Sequence, residues 1–145
     1  MAQSTFLLLI LGIVIAGLAV MLGINAYQDN RDKLFMDHLV NDTYEIAVDA
    51  QRWMRKPEFF GGGGDSCGNA ECDWSRASID AFGYNGDESG AYHTYFGIIE
   101  LDGTSEPSTL IITATDSSLK NKVVVRVNGV HPDSVSAELD HDFGS

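Results

Sequence analysis

A chain of 145 residues is long enough for one modest domain, and 44% hydrophobic residues is an ordinary share for a globular protein. Its formal net charge of −12 argues against a nucleic-acid partner, because neutralising phosphates needs a positive surface. All 9 Lys and Arg and all 21 Asp and Glu lie beyond residue 28, so an uncharged segment is joined to an acidic one.

The first element in chain order is that uncharged segment. From Phe6 to Ile24 run 19 residues drawn only from Phe, Leu, Ile, Val, Met, Ala and Gly. As a helix they span roughly 28 Å, the thickness of a bilayer core. Leaving each large side chain in water costs on the order of 1.5–3 kcal/mol, and the sum exceeds what a small domain's stability offsets. The segment is therefore expected to be buried outside the domain, in lipid or among other copies of itself. A cleaved secretory signal is the alternative. Against it stand the absence of a basic n-region and of an A-x-A-like site, and a helical pattern that continues past Asn25.

Beyond residue 26 the composition changes and the period does not. Leu39, Ile46, Ala50 and Trp53 continue one stripe, with Phe35, Thr43, Ala47 and Met54 beside it and Asp37, Asn41, Asp49 and Arg52 away from it. One helix over residues 3–56, roughly 80 Å long, is the expectation. Arg52, Arg55 and Lys56 suit its C-terminal dipole and Pro57 ends it. Residues 1–26 then form an apolar assembly or anchor half. Residues 27–145 form a head made of the second half-helix (27–56), a loop region (57–90) and a sheet (91–140).

The loop region opens with four glycines, Gly61, Gly62, Gly63 and Gly64, which accept positive φ and let the chain fold back as a hinge. Cys67 and Cys72 follow at short spacing. A disulfide between them suits an oxidising compartment and closes a small loop that contributes only roughly 2 kcal/mol; two free thiols are the alternative. A short helical turn is expected at 75–82.

The period then switches to two. Strands are expected at 92–101, 108–115 and 121–128, with a weaker fourth at 133–139. Turn signals stand at Asp102–Gly103, at 116–118 and at Asn128–Gly129, the last suited to a type I′ hairpin. Val123, Val125 and Val127 alternate with Val124, Arg126 and Asn128, which buries one face of an antiparallel sheet. The fold class is thus α+β: one long helix packed on a small antiparallel sheet of 3–4 strands. Trp53, Phe59, Phe60, Trp74, Phe82, Tyr92, Tyr95 and Phe96 are expected to fill the layer between them.

This order of elements, with "QSTFLLLILGIVIAGLAV" at its start and "RWMRKPEFFGGGG" at the helix end, resembles the type IV pilins and pseudopilins. The resemblance implies a structural subunit of an extracellular helical filament. Such a subunit is anchored in the membrane before assembly, processed by a prepilin peptidase and assembled by pilus machinery. Alternatives are a minor pilin or pseudopilin of a secretion system, or a single-span exported binding domain. It further implies a trimmed, methylated N-terminus, with either residue 1 or Gln3 first. The Glu that bacterial pilins carry near the N-terminus is Thr5 here, so hydrogen bonding by Gln3, Ser4 and Thr5, or apolar packing from Phe6 on, is expected in its place.

Self-assembly also has support from the residues themselves. Gly12, Ala16, Ala19 and Gly23 fall at i, i+4, i+7 and i+11, a continuous face of small residues that lets helices approach closely. No nucleophile elbow, metal-ligand spacing or phosphate loop stands out, so no enzymatic activity and no cofactor or metal are expected. The acidic stretches 85–90 and 138–145 could supply oxygens to calcium but lack EF-hand spacing, and a solvated surface is preferred. Asn41-Asp42-Thr43 matches a glycosylation sequon inside the expected helix.

Overall fold

A computed structural model describes residues 1–65, 67, 72–117 and 121–141, with only the backbone at His141. The inside of the cysteine loop, the end of the 116–118 turn and the acidic tail beyond 141 lie outside the described residues.

Helix α1 runs without interruption over Ala2–Arg55. No proline precedes Pro57, and the residue before a proline is disfavoured in helical conformation, which fixes the stop. The helix serves two compact units, Met1–Phe35 and Met36–Ser145. Throughout the first unit the helix is exposed up to Leu34.

In the second unit the amphipathic period is realised as expected: Leu39, Thr43, Ile46, Ala47, Ala50, Trp53 and Met54 are buried. Gln51 joins them. Asp49, expected to face away, is half-buried at the margin of the stripe. Thr43 donates its hydroxyl to the Leu39 carbonyl at 2.6 Å, which satisfies a buried polar group inside the helix itself.

The helix packs on a five-stranded antiparallel sheet, so the α+β class stands, with more strands than the expected 3–4. The strands are β1 (Tyr92–His93), β2 (Gly97–Asp102), β3 (Leu110–Asp116), β4 (Asn121–Val127) and β5 (Val135–His141), in simple meander order. The additional strand comes from the expected 92–101 run. Thr94 turns the chain there, its hydroxyl donating to the Gly97 carbonyl and accepting from the Phe96 and Gly97 amides, which splits the run in two.

The expected hairpin at Asn128–Gly129 is not two residues long. Pro132 starts a 3-10 turn at Pro132–Ser134, and the Asn128 amide closes the wider connection on the Ser134 carbonyl at 2.9 Å. The turn expected at 75–82 contracts to a single 3-10 turn, Asp80–Phe82.

The buried face follows the pairing register. Ala114 lies between Ile99 and Val123, Ile112 between Leu101 and Val125, and Leu110 opposite Val127. These apolar rows and the helical stripe share one core with Trp74, which is fully buried. Phe82, Tyr92 and Phe96 pack against this core as expected. Phe59, Phe60 and Tyr95 do not: they are 92%, 64% and 84% exposed. The reason for the first two is local, because Pro57 and the 3-10 turn Glu58–Phe60 carry them past the helix end before the chain turns back.

Candidate functional site

The residues expected to carry assembly lie on the first unit of α1. At its start the Ser4 and Thr5 hydroxyls both donate to the Met1 carbonyl, at 2.8 and 3.3 Å. Gln3 and Phe6 are exposed. Gly12, Ala16, Ala19 and Gly23 are likewise exposed along one helical face. A Cβ added at Gly12, Gly17 or Gly23 would meet nothing within 4 Å. Glycine inside a helix is about 1 kcal/mol less favourable than alanine. Packing within this chain therefore gives no reason for any of the three.

Large apolar side chains cover the rest of this segment, and all are exposed, from Phe6 and Leu7 through Ile13, Leu18 and Leu22 to Ile24. The helix is long and apolar enough to cross a membrane, and among the described residues none buries its apolar window. An apolar helix with this exposure can serve as a membrane anchor, as a signal, or as the core of a multi-chain assembly.

The four glycines at the other end of α1 are arranged differently. The amides of Gly63, Gly64 and Asp65 donate to the carbonyls of Trp53, Lys56 and Met54 at 2.9, 2.9 and 2.7 Å. The run thus caps the helix and satisfies carbonyls that a helix end leaves without partners. Gly61 and Gly64 have φ of 78° and 79°, which favours glycine. A Cβ at Gly62 would stand 2.1 Å from the Lys56 carbonyl oxygen, and one at Gly63 would stand 2.8 Å from Met54 Sδ. Four consecutive glycines are thus required for two distinct reasons, left-handed backbone and lack of room. The Trp53 indole N–H donates to the Gly61 carbonyl at 3.0 Å and ties the cap to the core. Shortly beyond it Cys67 and Cys72 form a disulfide, with Cys72 buried.

On the head, polar groups expected to be solvated have structural partners. Asp87, in the acidic 85–90 stretch, accepts from the Ser89 hydroxyl and amide and the Ala91 amide, and pairs with His93 Nε2 at 2.8 Å. The Ser89 hydroxyl first, then His93 and the Ala91 amide, hold its carboxyl well below the usual range. Among the described residues no group of three or more His, Cys, Asp and Glu is placed to hold a metal ion. His38 stacks on Phe96 with centroids 4.5 Å apart. In the sequon, the acceptor Asn41 is exposed and Thr43 is buried.

Gln51 has a role that its sequence context conceals. Its Nε2 donates to the carbonyls of Gly129 and His131 at 2.9 and 2.8 Å, fastening the β4–β5 connection to the helix. A polar residue flanked by Ala50 and Arg52 reads as surface. Only its position on the buried arc could have singled it out.

Half-buried Tyr84 donates to Asp49 Oδ2 at 2.7 Å, and burial first, then this bond to a carboxylate, pushes its hydroxyl up. Beside it opens a cavity of about 300 Å³ lined by Asp42, Glu45, Ile46, Tyr84, Tyr92, His93, Thr94, Tyr95 and Phe96.

No protein-family model, curated protein or solved structure matches this chain.

Proposed function

We propose that this chain is the structural subunit of an extracellular filament of the type IV pilin kind, held in the membrane by its apolar helix before assembly and packed through that helix afterwards. One observation carries the reading: a helical segment, residues 6–24, whose large apolar residues are all exposed precedes a head with its own core of helix and sheet. Among the described residues the core of the head is built from the second unit, and the large apolar side chains of residues 6–24 are exposed.

Gly12, Ala16, Ala19 and Gly23 support helix-to-helix packing over simple anchoring, since small residues permit the close approach that lipid does not require. The pilin-like order of apolar helix, loop with disulfide and antiparallel sheet supports it further. In a filament the acidic head would form the outer surface and keep it soluble.

Electron microscopy of material sheared from cells, with mass spectrometry of the subunit's N-terminal peptide, tests the proposal. Uniform thin filaments of this chain with a trimmed or methylated N-terminus are expected. A detergent-soluble monomer or dimer confined to the membrane fraction, with no filament containing it, would overturn it.

A further inference from the structure

The helix of the second unit carries two charge pairs with the same spacing. Asp42 and Glu45 stand three residues apart at the mouth of the 300 Å³ cavity, and Arg52 and Arg55 repeat that spacing ten residues later. Lys56, Phe59 and Phe60 extend the second group, all exposed. One end of the head therefore presents cations and aromatic rings, although the whole chain has 9 basic residues against 21 acidic ones.

Partners within the chain do not exhaust these groups. Asp42, Glu45 and Lys56 have no ion-pair partner among the described residues. Arg52 uses one nitrogen on Asp49 at 2.9 Å and keeps its side chain 74% exposed. Arg55 uses one nitrogen on the Val130 carbonyl. A guanidinium has five N–H donors, so both retain donors for another carboxylate. The cavity is also lined by Tyr84 and Tyr92, and aromatic rings attract cations and other rings.

We infer that this acidic, aromatic groove receives the basic, aromatic helix end of a second copy of the chain, in a head-to-tail contact. It rests on the filament proposal, in which copies held in one membrane by the same helix end would assemble with their helices parallel. An axial shift of ten to eleven residues, roughly 16 Å, then brings Arg52, Arg55 and Lys56 of one copy level with Asp42 and Glu45 of the next. Phe59 and Phe60, an edge-to-face pair with centroids 5.3 Å apart, would be covered against the tyrosines instead of facing water. Because groove and end are different surfaces of one molecule, the contact is heterologous. Contacts of that kind propagate as open helical polymers.

The test is charge reversal in the full-length chain, with sheared filament mass as readout. Glu45→Lys and Lys56→Glu alter exposed side chains, and protease resistance of the exported head checks that each variant folds; Asp42→Lys replaces the first if it does not. Each variant alone is expected to lose at least about tenfold in filament mass, since like charges then face each other. Co-expression of the two is expected to restore filaments containing both, because each variant's groove then meets the other's end. Undiminished filaments from the single variants, or no restoration in the mixture, would overturn the contact and leave the filament proposal standing. Absence of filaments from the unaltered chain would instead overturn the proposal beneath it.

Discussion

The glycine cap shows how far single atoms decide this structure. Gly61 has an open surrounding and only its positive φ to maintain, so Gly61→Ala is expected to destabilise the head by about 1–2 kcal/mol. Gly62 and Gly63 have no room for a methyl group against the Lys56 carbonyl and the Met54 side chain. Their alanine variants are expected to lose more, at the upper part of the roughly 1–3 kcal/mol typical of overpacking. Urea unfolding of the detergent-solubilised chain, followed by the fluorescence of Trp53 and Trp74, ranks the three; no loss at any of them would show the run to be a plain flexible linker. Carboxylates provide a second residue-level device. Asp102 accepts from the hydroxyls and amides of Ser105 and Thr104, and these bonds, the Ser105 hydroxyl foremost, hold its carboxyl at about 2. Asp87 is lowered in the same way. Each folded-state value lies below the unfolded one, so the folded chain binds fewer protons. The stability they contribute is present above about pH 4, where the unfolded carboxylate is ionised, and is lost as pH falls toward 2. Amide resonances of Thr104 and Ser105 are accordingly expected to titrate with a midpoint near 2. A midpoint near 4 would show that these turns do not hold their carboxylate in solution.

Among the elements, the joint between α1 and the β4–β5 connection depends on Gln51. Replacing it by alanine leaves the carbonyls of Gly129 and His131 without their donor in a part-buried place. A loss of about 1–3 kcal/mol is expected, read in the same urea unfolding, with exchange of the amides around residues 128–134 accelerated more than that of β3. A uniform change across the sheet would contradict this local role. The same joint marks the limit of what periodicity discloses. The helical stripe from Leu39 to Met54 and the alternation in β4 were legible because burial there follows a fixed period of 3.6 or two. The Thr94 turn was not, because a side-chain hydrogen bond sets it locally against an apolar pattern that runs through it, and at Asn128–Gly129 the turn was legible but its length was not, because the proline ring of Pro132 widens it. Phe59 and Phe60 lie outside the core for a related reason. Hydrophobicity alone assigns them to a core, whereas Pro57 and the cap geometry carry them beyond it. The small-residue face was fully visible in the sequence, but a single chain holds no neighbour to test it against.

For the molecule as a whole, the anchor and filament alternatives predict opposite responses to one change. Gly12→Leu and Ala19→Leu add bulk on the small-residue face where the chain itself leaves open space at Gly12. Leucine is more apolar than either residue and about 1 kcal/mol better than glycine in a helix. A lone membrane anchor would therefore be strengthened, with export and membrane retention unchanged or improved. Helices packed against one another would be pushed apart, since close approach along such a face depends on the absence of side-chain bulk. The head should be indifferent to both changes, because its core starts at Met36 and Leu39 and takes nothing from residues 12 or 19. Filament mass is expected to fall at least about tenfold, with the head still folded by protease resistance and the subunit accumulating in the membrane fraction. The combination matters more than the loss: filaments gone, anchor kept and head intact can arise together only if the face is a contact between copies. Filaments that survive both substitutions would place helix packing on another face, and the three helical glycines would again lack a reason.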